Sequence, residues 1–307
     1  MAMGDTVLLI GVVLAYFAVL LVVSHYVAPR DGGNGVFFTA GRRSPWWLVA
    51  IGMVSASVSG VSVVSVPGMV GVSGFSYLQA VCGFFFGYLV VAYVLLPVYY
   101  ERGVSSIYSL LGERLGVHAE RTGSLLFVVA KVVMAATKLY VAALLVHRVL
   151  FGDGGVPFGA TVCVLVLVIW VYTRRGGIRS LILTDCIQTV LLVVALVFIV
   201  GDVMGRVDGG MGAILAQMGE REECRMFVWE VGSAQNFFKE FLGGVFIVIA
   251  MTGVDQDLMQ KNLTCRTLRA SQRNMLTYGS LFLPLNLVVK NCFFASCTDD
   301  AVTDVDC

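Results

Sequence analysis

Apolar residues run for about twenty positions at a time along most of this chain, and the interruptions are charged or rich in glycine. A helix needs roughly 20 apolar residues to cross a hydrocarbon core. The runs therefore predict eight spanning helices, at about 6–27, 46–68, 75–98, 122–150, 156–172, 180–203, 237–255 and 275–295, numbered here span zero to span seven. The first run, Thr6 to Val27, is too long for a signal-peptide core and has neither a basic leader nor a clear small-x-small cleavage site, so it reads as a spanning helix. Segments 28–45, 99–121, 173–179 and 256–273 carry 13 Lys and Arg, against Arg206, Arg221 and Arg225 on the opposite side. The positive-inside rule then puts the N-terminus outside. With eight spans the C-terminus is outside as well, in keeping with the acidic tail Asp299, Asp300, Asp304 and Asp306. Neither end reads as a soluble domain.

Composition sharpens this picture. Hydrophobic residues make up 58% of the 307 and charged residues 13%, whereas soluble domains carry roughly 25% charged residues. A net charge of +1 leaves no electrostatic footprint for nucleic acid. The eight cysteines are scattered. Cys82, Cys163, Cys186 and Cys292 fall in apolar runs with no CxxC or Cys/His cluster, which argues against metal or redox chemistry. His25, His118 and His147 are isolated. No nucleophile, base or phosphate loop gives enzyme chemistry a foothold.

Polar residues inside the spans are the candidate chemistry. Span one carries Ser55, Ser57, Ser59, Ser62 and Ser65, with Gly60 within and Pro67-Gly68 following. Such a helix is easy to interrupt, and unwound carbonyls at the bilayer midplane can replace the water around an ion. Close packing of small residues explains the same serines and glycines. Span five opens with Thr184, Asp185, Gln188 and Thr189 on one side of the helix. An acid within a span costs roughly 2.5–3.5 kcal/mol at the helix centre and commonly lines an ion or proton path. Alternatively, Asp185 is an N-terminal acid favoured by the helix dipole, within snorkelling reach of Arg179. Span three places Lys131 and Lys138 on one face, with Tyr140 nearby and Arg148 snorkelling at the outer end. The lysines either line an aqueous cavity that attracts an anionic solute or pair with acids on another helix. Span six ends in Thr252-Gly253-Val254-Asp255, where the glycine permits a break, and Asp255, Asp257 and Lys261 read as a solvated charge cluster at the cytoplasmic surface. Span seven holds Pro284, Asn286 and Lys290, the pattern of a kinked helix with a polar side.

Three stretches together resemble the sodium:solute symporters, carriers of sugars, proline, sialic acid, pantothenate or iodide. Phe37-Phe38-Thr39-Ala40-Gly41-Arg42-Arg43-Ser44-Pro45-Trp46-Trp47 resembles the family's entry to its first core helix. Gly176-Gly177-Ile178 followed by Thr184-Asp185-Cys186-Ile187-Gln188 resembles the signature of its fifth. Gly253 through Asp255-Gln256 to Gln260-Lys261-Asn262-Leu263 resembles the cytoplasmic end of its sixth. Their order and spacing agree with the eight spans.

The resemblance, to the N-terminal part of a bacterial member, implies an all-α membrane protein with the inverted-repeat fold of leucine-type transporters. Residues 1–45 would be an accessory helix and cytoplasmic loop, 46–203 the first five-helix repeat, and 204–236 an extracytoplasmic loop. Residues 237–295 would hold the first two helices of an incomplete second repeat, and 296–307 a tail. The implied function is sodium-coupled import of a small organic solute across the inner (plasma) membrane, with sodium as coupling ion and no other metal or cofactor. By position, backbone carbonyls of Ser55 and Val58 would bind sodium, and Asp185 would lie on its path or at a second site. The solute would lie between spans one, two, three and six, near Ser59, Ser62, Lys138, Tyr140 and Thr252. Sugar-carrying members place polar and aromatic residues where this chain has Ala80, Val81, Phe84, Val248, Ala250 and Met251, which argues against glucose or galactose. Family members also continue into a helix eight that completes the sodium site, and 291–307 no longer resembles them, so a truncated chain is expected. The rival reading is a transporter-like membrane sensor that does not transport.

Overall fold

The computed structural model describes residues 3–27, 40–58, 76–104, 106–151, 155–206 and 227–298, and the regular structure among them is helical. The helices are α1 (Met3–Val27), α2 (Trp46–Ser57), α3 (Tyr77–Arg102), α4 (Ile107–Leu115), α5 (Val117–Leu150), α6 (Phe158–Arg206), α7 (Phe237–Gly253), α8 (Gln256–Asn262) and α9 (Leu268–Thr298). Among the described residues, four helical stretches are long and apolar enough to cross a membrane: within α1, α3, α5 and the Gly177–Asp202 part of α6. The bent pair α7 and α8 makes a fifth if counted as one span, and Trp46–Ser57 and Phe158–Val171 are shorter apolar helices. The chain is thus an all-α, multi-pass membrane protein.

Local backbone chemistry sets two of the breaks. Within α6, Gly177 takes φ 55 and ψ −164, a conformation that costs glycine little and other residues much. That kink falls in the basic Arg174–Arg179 stretch expected between spans four and five. After Gly253 the axis of α7 turns by 71° into α8. Asp255 makes the turn, because its Oδ1 accepts from the amides of Asp257 (2.9 Å) and Leu258 (3.4 Å) and so caps α8.

The residues form two compact units, Met1–Ser44 with Val104–Thr184, and Pro45–Gly103 with Asp185–Cys307. In the first, Ser106 caps α4 by accepting from the Tyr108 amide, and α4 lies along the start of α5, with the Tyr108 and Phe127 rings 5.5 Å apart. The start of α6 is tied to α5 through His147 Nδ1 and Thr161 Oγ1 at 2.9 Å. Leu125, Leu126, Val132, Val133 and Leu145 stand exposed along α5, an apolar exterior that suits hydrocarbon.

The second unit is built on a close approach of α3 and α7. A Cβ added at Gly83 would sit 3.0 Å from the Phe241 carbonyl carbon, one at Gly87 2.7 Å from Val248 Cβ, and one at Gly244 2.9 Å from the Ala80 carbonyl carbon. Glycines four apart let the two backbones touch, which is how helices pack where lipid supplies no hydrophobic drive. Each helix also carries a wide π turn, Val91–Leu95 in α3 and Ile249–Gly253 in α7. Carbonyls released by such turns need other donors. Gln272 Nε2 reaches the Ala92 carbonyl at 3.1 Å and the Tyr99 hydroxyl the Gly253 carbonyl at 3.2 Å. Met53, Leu96, Tyr99, Met259, Met275 and Tyr278 fill the core of this unit.

Candidate functional site

Helix α2 starts behind Pro45 and buries Val49, Ala50, Met53 and Val54. It stops at Ser57, within the serine-rich stretch. The Val58 amide still bonds to the Val54 carbonyl at 2.9 Å, but its backbone has turned extended (φ −89, ψ 108). Helix ends leave last-turn carbonyls without intrahelical donors, and the Ser55 and Val58 carbonyls belong to this end. Ser59 and Ser62 lie outside the described residues.

Three short polar side chains join α2 to the second part of α6. Cys186 Sγ donates to the Leu48 carbonyl (2.9 Å) and Thr189 Oγ1 to the Ile51 carbonyl (2.7 Å). Ser55 Oγ donates to the Asp185 carbonyl (2.7 Å), while the Ser55 amide meets Thr189 Oγ1 at 3.2 Å. The donors and acceptors recur every three or four residues on each helix, so one face of each is used. Ser55 and Asp185 are thereby brought into contact. The Ser55 side chain serves packing, while its carbonyl belongs to the helix end.

The Asp185 carboxylate has an unforeseen partner. Its Oδ2 accepts from Lys261 Nζ at 2.9 Å, with the two side chains 15% and 8% exposed. Lys261 also lies 3.8 Å from Asp257, which is 56% exposed. The sequence placed Lys261 in a solvated cluster and Arg179 within reach of Asp185; here Lys261 is buried and Arg179 is exposed. The cause is the bend after Gly253, which lays α8 against α2. Beneath this pair Thr264 Oγ1 donates to the Lys261 carbonyl at 2.6 Å. The Asn262 Oδ1 accepts from Ser271 Oγ and Asn274 Nδ2, both at 2.7 Å, which locks the α8–α9 turn.

A chain of hydroxyls leads from the end of α2 toward Thr252. Ser57 Oγ is hydrogen-bonded to the Tyr278 hydroxyl. The Tyr88 hydroxyl donates to that of Tyr278 at 3.1 Å, and the Thr252 side chain lies beside it. Thr252, only 3% exposed, sits in the π turn of α7. Tyr88 and Tyr278 escaped the sequence reading because they sit in apolar runs, where a tyrosine raises no alarm. Lys138 and Tyr140 lie on α5 in the other unit, and both are exposed. Tyr140 packs against the Phe158 ring at 5.6 Å, and Lys131 stands over the Phe127 ring, 5.5 Å from its centroid.

The polar groups along the contacts of α2, α6 and α8 are backbone carbonyls, the Ser55 and Thr189 hydroxyls and the Asp185 carboxylate, oxygen donors of the kind that hard cations take. Among the described residues no three His, Cys, Asp or Glu side chains group to hold a metal ion.

The model of the sodium:solute symporter family matches residues 37–296. The chain is 26% identical to the human sodium/iodide cotransporter, over 85% of this chain and 41% of that protein. It is 28% identical to the rabbit (Oryctolagus cuniculus) sodium-dependent multivitamin transporter, over 83% of this chain and 41% of that protein. Identity to the human sodium-coupled monocarboxylate transporter 1 is also 28%, covering 82% and 42%. The chain thus spans about two fifths of the length of these relatives. A solved substrate-bound, outward-open structure of a Na+-coupled sialic acid symporter superposes with a TM-score of 0.82 at 22% identity, over 93% of this chain and 59% of that one, so the two share a fold.

Proposed function

The chain belongs to the sodium:solute symporter family, and from that premise we propose that it is the N-terminal part of a bacterial secondary active transporter importing a small organic solute with sodium. In this reading eight spans cross the inner membrane with the N-terminus outside, and they comprise one five-helix repeat and the start of its inverted partner. The observation that carries the proposal is Asp185, an acid held within a helix beside the end of α2, where its backbone carbonyl accepts from the Ser55 hydroxyl and its Oδ2 meets Lys261. Intramembrane acids are costly and commonly serve ion paths. Carbonyls of Ser55 and Val58 and the Asp185 carboxylate are the proposed sodium ligands. Ser59, Ser62, Lys138, Tyr140 and Thr252 are the proposed solute contacts. An anionic solute fits Lys138 and the two relatives named for iodide and monocarboxylates. Sodium binding favours the outward-open state, solute joins it, and rocking of the repeats releases both inward.

The test is Asp185→Asn in the protein that carries this chain, assayed for sodium-stimulated uptake of labelled monocarboxylates, sugar acids and amino acids. The amide oxygen can still accept from Lys261, and Asp257 remains 3.8 Å from that ammonium; melting of the variant is measured alongside, so that a loss of fold is told apart from a loss of sodium affinity. The sodium concentration for half-maximal uptake should rise at least about tenfold, the loss of one charge-assisted contact of roughly 1.5–3 kcal/mol. Unchanged sodium activation would make Asp185 structural and refute the assignment.

A further inference from the structure

Lys261 is an unusual partner for an acid meant to hold an exchangeable cation. Its ammonium lies 2.9 Å from Asp185 Oδ2 and is only 8% exposed, yet a second carboxylate, on the half-exposed Asp257, stands 3.8 Å away one turn back along α8. The backbone beneath it is fixed. Thr264 Oγ1 holds the Lys261 carbonyl, the Leu263 amide bonds to that of Met259, and Asp255 caps the helix. What can move is the ammonium, a compact charge on a four-carbon stem with rotatable bonds. It carries one positive charge, as sodium does, and seeks the same oxygens.

A buried carboxylate left without a cation is strongly unfavourable, far more than the pair is favourable. Any site on Asp185 that empties therefore needs a replacement charge at once. Lys261 supplies one from 2.9 Å, and Asp257 supplies somewhere for it to go. An Asp placed four residues before a Lys is also a favourable helical pair, so the outward position is itself stable.

We propose that Lys261 is a tethered counter-cation that competes with sodium for the Asp185 carboxylate, with Asp257 as its alternative partner while sodium is bound. This rests on the reading of Asp185 as a sodium ligand. Lys261 is thus a positioning residue that sets how tightly sodium is held and how readily it leaves.

The experiment measures equilibrium binding of radioactive sodium alone to the protein carrying this chain, purified in lipid nanodiscs with choline as the inert cation. Lys261→Met removes the competitor and should tighten sodium binding about three- to tenfold. Asp257→Asn removes the alternative partner, drives Lys261 onto Asp185, and should weaken sodium binding about two- to threefold. A structural role would instead lower thermal stability and leave sodium affinity where it was. Should Lys261→Met fail to fold, Asp257→Asn decides alone, because its side chain lies at the surface. Sodium affinity unchanged in Asp257→Asn, or unchanged in a folded Lys261→Met, overturns the proposal. Absence of sodium binding to the unaltered protein, or equal binding by Asp185→Asn, would instead overturn the assignment of Asp185 on which it rests.

Discussion

Two adjacent glycines in α7 should respond in opposite ways to the same substitution. A Cβ at Gly244 would meet the backbone of α3, inside the radius of the Ala80 carbonyl oxygen, 2.9 Å from its carbonyl carbon and 3.0 Å from its Cα. Carbon atoms pack best at roughly 3.5–4.0 Å, so α3 and α7 must separate by ~0.5–1 Å at their closest point. No flexible side chain is there to give way. Such overpacking costs about 1–3 kcal/mol. At roughly 2–4 °C per kcal/mol for a domain of this order of size, Gly244→Ala should lower the melting temperature by about 3–10 °C. The neighbouring Gly243 has nothing within 4 Å of the same added atom. There alanine gains helix propensity, about 0.8–1.0 kcal/mol over glycine, and Gly243→Ala should melt at the same temperature or slightly higher. The assay is tryptophan-fluorescence melting of both variants and the parent in one detergent. Equal losses in the two variants, or a Gly244→Ala that melts with the parent, would refute the backbone contact between α3 and α7.

Cys265, fully buried in the turn between α8 and α9, should make stability fall in alkali. Burial pushes its thiol from the ordinary 9.0 up to about 12, so between those values the unfolded chain gives up a proton that the fold retains, and stability drops as pH rises through that window. Melting curves from pH 8 to 11 should show a shallower decline in Cys265→Ala than in the parent, and parallel declines would discount the burial. Lys138→Met keeps the apolar stem and removes the charge. It should raise the half-saturating concentration of an anionic solute several-fold in uptake assays, and a neutral transported solute or an unchanged value would end its assignment.

Much of this protein follows from local pattern. Apolar runs of membrane length show a helical, multi-pass chain, because no other backbone arrangement of such runs satisfies its own hydrogen bonds in lipid except a closed barrel. Gly177 and Gly253 could be read as breaks from composition, and Asp185 as chemistry from its setting, since an acid in an apolar run is conspicuous wherever the helix packs. What the residues could not disclose are relations at long range. Gly243 and Gly244 are indistinguishable on paper, and only the facing of α3 and α7 decides which of them a side chain would ruin. Tyr88 and Tyr278 become a hydroxyl chain that starts at Ser57 and leads toward Thr252 only when four helices converge. Lys261 lies 76 positions from Asp185, in a stretch whose charges resemble any solvated loop. It becomes the acid's partner because a 71° turn at Gly253 and a cap at Asp255 fold α8 back beneath α2. Periodicity and polarity act over a few residues and are written in the chain, whereas the pairing of two buried charges depends on helix directions that exist only once the helices have packed.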